Sequence, residues 1–170
     1  LNIGYAKPFL SEVFSEMDGF LTGKVSITGP FDSLRVESEN TRLDNAELTI
    51  AYTNVPYTAD GAFHMDSKGV YFDDIRIRDR FNGTGSVEGS IKWNNLKDLN
   101  FDTQIRVNEI EGINLSEGMN DAFYGNIFAT GNVSITGPAS TMLLSVDAVT
   151  AKNGQIHIPM NAAGAGGKGT

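Results

Sequence analysis

An antiparallel, mainly β architecture is what this sequence predicts, on three observations. Apolar residues recur at every second position along most of the chain, the spacing that buries one face of a strand. Turn dipeptides break these runs at short intervals: Gly29-Pro30, Asp44-Asn45, Asp60-Gly61, Lys68-Gly69, Asn82-Gly83, Asn94-Asn95, Gly137-Pro138 and Asn153-Gly154. The composition agrees. The 170 residues include 19 glycines, above the usual share of ~7 %. Charged residues are only 20 %, low for a helical protein.

One helical pattern precedes the strands. After Pro8, the apolar residues Phe9, Leu10, Val13, Phe14 and Met17 fall at helical spacing, with Ser11, Glu12, Ser15 and Glu16 between them. Pro8 suits a first helical position and Gly19 a left-handed C-terminal cap, so one short helix is expected over residues 8–18. Such a helix is marginal alone and needs the face or end of a sheet to pack on.

From Gly23 the period is two. Val25 and Ile27 face one way, Lys24, Ser26 and Thr28 the other. Leu48, Ile50 and Tyr52 repeat the pattern, as do Val70 with Phe72 and Ile75 with Ile77. The Asp73-Asp74 pair between the last two shifts the phase by one residue and reads as a β-bulge. Val87, Ile91 and Trp93 follow, then Phe101, Thr103, Ile105 and Val107 against Asp102, Gln104 and Arg106. Val133 with Ile135, Leu144 with Val146, and Ile156 with Ile158 complete the series. Roughly ten to twelve short strands over 20–160 are expected, wet on one face and apolar on the other. Residues 1–160 form one β-rich repeat-array unit in this reading. Residues 161–170, rich in Gly and Ala, form a disordered tail or linker.

Composition also narrows function. The net charge of −8 opposes phosphate backbones, so nucleic acid is not an expected partner. The absence of cysteine excludes disulfides, thiol catalysis and Cys-based metal sites. His64 and His157 lie far apart and form no local ligand pair. The densest charge cluster is Asp73, Asp74 and Asp79 with Arg76, Arg78 and Arg80. Alternation puts Arg76 and Arg78 opposite Ile75 and Ile77, as salt-paired residues of a solvated face rather than acid–base catalysts. No Ser–His–Asp order, His-x-x-x-His or Gly-x-Ser-x-Gly occurs. The expectation is no enzyme, no metal and no cofactor. No run approaches the ~18 apolar residues of a membrane span. The start at Leu1 is read as the edge of a piece cut from something longer.

The chain contains a repeat. Phe20-Leu-Thr-Gly-Lys-Val-Ser-Ile-Thr-Gly-Pro30 returns as Phe128-Ala-Thr-Gly-Asn-Val-Ser-Ile-Thr-Gly-Pro138. The alignment continues without a gap to Ile50 and Ile158, and 11 of its 31 positions are identical. Phe81–Ile91 is a weaker copy. Repetition of one supersecondary unit marks an array whose units stack on their neighbours. Val25/Ile27 and Val133/Ile135 should therefore occupy equivalent positions.

The Gly-x-Val-x-Ile-x-Gly-Pro elements, followed by Asn-Ala-Glu-Leu-Thr-Ile (Asn45–Ile50) and Asn-Gly-Gln-Ile-His-Ile (Asn153–Ile158), resemble the TamB C-terminal domain family. These are translocation and assembly module proteins among the AsmA-like, bridge-type lipid-transfer proteins. The resemblance spans about Pro8 to Met160. It implies a curled antiparallel β-sheet, a β-taco or trough, with an apolar inner face. It implies the periplasm of a Gram-negative envelope, within an inner-membrane-anchored protein, and a BamA-like outer-membrane barrel (TamA-type) as partner of the parent chain. Phospholipid movement between membranes, outer-membrane protein assembly, or both, would be the function. The lining of the groove would then be Val25, Ile27, Leu48, Ile50, Val70, Phe72, Val87, Ile91, Phe101, Ile105, Val107, Val133, Ile135, Val146, Ile156 and Ile158, meeting phospholipid acyl chains.

Periodicity alone favours a closed β-sandwich or barrel, such as a repeat domain of a secreted adhesin or glycan-binding protein, with Trp93 and the scattered tyrosines as stacking platforms; the resemblance reverses that order. A curled sheet cut from an array would also carry two raw edges, open to edge-to-edge self-association.

Overall fold

Nine strands form one antiparallel sheet in the computed structural model, which describes residues 2–11, 13–94, 97–151 and 153–159. They are β1 (Phe14–Thr28), β2 (Arg35–Ile50), β3 (Val55–Asp66), β4 (Gly69–Arg78), β5 (Thr84–Asn94), β6 (Lys97–Leu115), β7 (Tyr124–Pro138), β8 (Leu143–Thr150) and β9 (Gln155–His157). Each of β1 to β8 pairs with the next in chain order, and β9 pairs with β7. The sheet is not closed, and among the described residues no second sheet lies against it. The two-layer sandwich that alternation alone favours is therefore not the fold.

The strands are fewer and longer than expected. Asp44-Asn45 and Asp60-Gly61 are not turns, because β2 and β3 run straight through them. Asn45 takes a left-handed φ of 45° and inserts one extra residue opposite β3, between Leu43 and Ala46. Its N–H donates to the Asp60 carboxylate at 2.9 Å. A left-handed Asn serves a bulge as readily as a turn. The Asp73-Asp74 bulge is present, as a register shift between Phe72 and Ile75 against β5 and between Phe72 and Arg76 against β3.

The expected helix over 8–18 is a larger correction. Among the described residues, only a 3-10 turn at Ile3–Ala6 and one turn of α-helix (α1, Lys7–Leu10) precede the sheet, and Phe14 already belongs to β1. Phe14 pairs with Ile50 and Met17 with Leu48, on one face, because a bulge lies between Phe14 and Glu16. A bulge turns the two-residue spacing of a strand into three, which imitates the helical i, i+3 pattern. Gly19 is no helix cap; its φ of 111° belongs to the strand interior.

The repeat does hold strand on strand. Val25–Ser38, Ile27–Val36, Met17–Leu48 and Asp18–Glu47 pair in β1–β2. Val133–Val146, Ile135–Leu144, Gly125–Ile156 and Asn126–Gln155 pair at the same offset in β7 with β8 and β9. The shared Gly23/Gly131 has a backbone reason. Both have positive φ, and a Cβ at either would overlap the carbonyl of the neighbouring strand, at Asn40 and Asp147 respectively.

The buried core centres on Ala46 and Ala59, both fully buried, with Ile75 and Ile3 packed against them. Ala46 and Ala59 are cross-strand neighbours, and their small side chains leave room for Ile3. Burying an isoleucine contributes about 1.5–3 kcal/mol, enough to hold a segment that has little structure of its own.

Candidate functional site

The register assembles rows of side chains across the sheet. Ile75, Val87, Ile105, Val133 and Val146 lie directly beside one another on β4 to β8. Four inter-strand steps of about 4.8 Å make this row about 19 Å wide. A second row on the same face runs Met65, Val70, Ile91, Phe101, and a third runs Phe63, Phe72, Gly89, Thr103, Ile135, Leu144. Following the pairs through every bulge puts Val25 and Ile27 of β1, Leu48 and Ile50 of β2, Val107 of β6 and Ile156 of β9 on this face too. Ile158 lies just past β9 and is exposed. Fifteen of the sixteen residues named from the sequence thus share one face within the strands.

At no paired position does this face carry a charged side chain. Its polar members are Ser38, Thr41, Tyr57, Thr103 and Thr150. The neighbouring row on the opposite face reads Asp60, Arg76, Ser86, Arg106, Asn132, Asp147. Exposure varies along the apolar side. It is least around Ala46, Ala59 and Ile75 and rises to 60 % at Leu144 and 58 % at Val146. Thr103 is buried, and its hydroxyl has no hydrogen-bond partner among the described residues.

Sequence reasoning missed part of this face. Ile110, Ile113 and Leu115 extend it along β6, and Ile127 along β7. Bulges between Val107 and Ile110 and between Glu111 and Ile113 shift their phase twice, which hides them from a period-two count. The left-handed φ of 50° at Glu109 marks the first of these. Glycine, Asn and Asp are the usual signals of such a backbone, and a glutamate gives none.

The polar side holds the charge cluster in two separate parts. Arg76 and Arg78 stand opposite Ile75 and Ile77, as alternation requires, and line a shallow depression of about 750 Å³ with Arg106, Asp60 and Asp74. The expected salt pairs do not form there: neither Arg76 nor Arg78 is in an ion pair among the described residues, and Arg106 reaches Glu88 at 3.1 Å. Asp79 and Arg80 belong instead to a polar knot at the tip of the β4–β5 hairpin. Arg80 grips the fully buried Glu111 of β6 with two hydrogen bonds, at 3.1 and 2.9 Å. Asn126 donates to the same carboxylate at 3.1 Å.

Past that hairpin tip, β3 and β6 meet directly. The Tyr57 hydroxyl donates to the Glu111 carbonyl at 2.6 Å, and Asn54 and Asn114 exchange side-chain-to-carbonyl bonds at 3.1 and 3.2 Å. Burial, reinforced by the Asp79 and Glu111 carboxylates, pushes the Tyr57 phenol well above the ordinary tyrosine range. His64 stacks on Tyr71 and His157 on Tyr124, each across a strand pair on the polar side. No group of three metal-ligating side chains occurs among the described residues. No described helix is long and apolar enough to cross a membrane.

Comparison with protein families, curated proteins and solved structures returns no match to this chain.

Proposed function

We propose that the apolar side of the sheet is a lipid path: the inner face of a trough along which phospholipid acyl chains move. The observation that carries this reading is the register, which places apolar residues from β1 to β9 on one side with no charge among the paired positions. A curl is supported by the β3–β6 contacts. In a flat sheet these strands, three steps apart, would be about 14 Å from each other. Hydrogen bonds that join them past the short β4–β5 hairpin support a sheet that bends around it.

The energetics favour a uniform lining. A methylene leaving a bilayer loses about 0.8 kcal/mol, so two chains of ~15 methylenes would cost on the order of 24 kcal/mol in water. A continuous apolar strip lowers that cost at every step and needs no catalytic group. The TamB-like elements Asn45–Ile50 and Asn153–Ile158 support placing the function in a Gram-negative periplasm. There the parent protein would bridge an inner-membrane anchor and a BamA-like barrel, moving phospholipid, assisting outer-membrane protein assembly, or both.

The experiment places a photo-crosslinking residue at Ile50 or Ile105, on the apolar side, and at Glu47 or Gln104, on the polar side. Capture of phospholipid in cells at the first pair and not the second is expected. Ile50→Arg and Ile105→Arg should fold, because both positions are only half-buried and an arginine stem can carry its charge to water, yet they should block lipid passage. Crosslinking that ignores the face, or unfolding of both arginine variants, would overturn the reading.

A further inference from the structure

The polar side carries aromatic side chains that a merely solvated face does not need. β7 presents Tyr124, Asn126 and Phe128 there, in alternation with Ile127 and Ala129 on the apolar side. Phe81, at the tip of the β4–β5 hairpin, meets Phe128 edge to face with ring centroids 5.2 Å apart, yet stays 54 % exposed. Both rings line a cavity of about 500 Å³ together with Asn82, Glu109, Asn126 and Asn153. Small-ligand sites occupy roughly 300–1,000 Å³ and likewise combine aromatic walls with a few converging polar groups.

The walls of this cavity are held by the polar knot beneath it. The Asp79 carboxylate accepts the backbone N–H groups of Phe81, Gly83 and Glu111. Arg80 and Asn126 both bond the Glu111 carboxylate. The hairpin tip is thereby tied to β6 and β7, and a ligand would meet a site already in place. A Cβ at Gly83 would overlap the Glu109 carbonyl, so tip and bulge pack backbone to backbone. Asn82 and Glu109 both hold a left-handed backbone, at φ of 68° and 50°. Among the described residues Glu109 is the one side chain other than Asn or Asp to do so. Such a backbone is costly for a residue with a side chain, and it gathers at ligand sites.

The charges around the cavity select its ligand. The Arg80 guanidinium lies over the Phe81 ring, 4.9 Å from its centroid, and repels a second cation there. The Glu109 carboxylate opposes an anion. A neutral molecule remains. The amides of Asn82, Asn126 and Asn153 offer carbonyl oxygens and N–H groups, and hydroxyls can donate to the one and accept from the other. A sugar ring carries such hydroxyls around its edge and a face of C–H groups, which the negative π face of an aromatic ring attracts. We propose that this cavity binds a neutral carbohydrate, seated against Phe81 and Phe128 and hydrogen-bonded by Asn82, Asn153 and Glu109. The site lies on the side of the sheet opposite the acyl-chain path and does not depend on the lipid reading.

The test titrates the whole chain with maltotriose, cellotriose and chitotriose and follows the amide NMR shifts. At least one trisaccharide should bind with a Kd of about 1 mM, with the shifts gathered at residues 81–83, 109, 126–128 and 153. Phe81→Ala should weaken that binding about tenfold and keep its thermal melt, since the ring is more than half exposed. Asn153→Ala, at an exposed turn position, should weaken it about fivefold. Should Phe81→Ala unfold, Asn153→Ala alone decides. Tetramethylammonium and inorganic phosphate serve as charged probes of the same cavity. Three results would overturn the proposal: no shifts with any trisaccharide at ~10 mM, shifts with a charged probe and with no sugar, or sugar binding that survives the substitutions.

Discussion

Asp79 offers the sharpest test of how the sheet is held. Its carboxylate opens the β4–β5 turn and accepts three backbone N–H groups: Phe81 and Gly83 at 2.8 Å through Oδ1, and Glu111 at 2.6 Å through Oδ2. Phe81 is exposed, so water replaces the lost partner there. Gly83 and Glu111 are buried. Asp79→Ala leaves those two donors unmet, and each unmet buried donor costs about 1–3 kcal/mol, so the loss is about 2–6 kcal/mol. Asp79→Asn keeps a carbonyl oxygen for the turn but points an NH2 group at the Glu111 N–H. One donor is then unmet, at about 1–3 kcal/mol. Removing a negative charge beside the Glu111 carboxylate offsets part of either loss, so both ranges are upper values. Urea unfolding at constant pH should give the order wild type, Asp79→Asn, Asp79→Ala, with shifted midpoints and an unchanged slope. An Asn variant at least as stable as wild type, or an Ala variant no worse than the Asn variant, would refute the hydrogen-bond accounting.

Two further outcomes follow from the same geometry. Thr103→Val removes a buried hydroxyl that has no partner among the described residues and keeps the side-chain shape, so the unfolding free energy should rise by about 1 kcal/mol; a loss would show that the hydroxyl is bonded in solution. Tyr57→Phe should cost about 1 kcal/mol by deleting the bond to the Glu111 carbonyl. In wild type the phenol is raised on folding. Its contribution is therefore complete below the unfolded-state value of about 10 and is lost as pH rises through the folded value. The Phe variant should flatten that alkaline limb, and an unchanged alkaline profile would remove Tyr57 as its source.

The strand character, the period, the repeat and most of the apolar face were legible in the residues, for one reason. Backbone geometry forces side chains to alternate, so Val25, Ile27, Ile105 and Val133 declare their shared side wherever no bulge intervenes. Even the Asp73-Asp74 bulge showed, because apolar residues bracket it closely on both sides. Where bulges fall without such brackets the same rule misleads. Phe14 and Met17 mimic a helix because a bulge sets their spacing. Asn45 looks like a turn because bulge and turn ask the same left-handed backbone of it. Tertiary structure alone decided the rest. Whether alternating strands close into two layers or stay one open sheet depends on which edges find partners. That β6 outruns the β4–β5 hairpin and meets β3 depends on strand lengths set far apart in the chain. The Asp79–Glu111–Arg80 knot joins residues about thirty positions apart, and no local pattern requires them to meet. Their pairing exists because charges buried at a hairpin tip must be satisfied by whatever strand the register brings there.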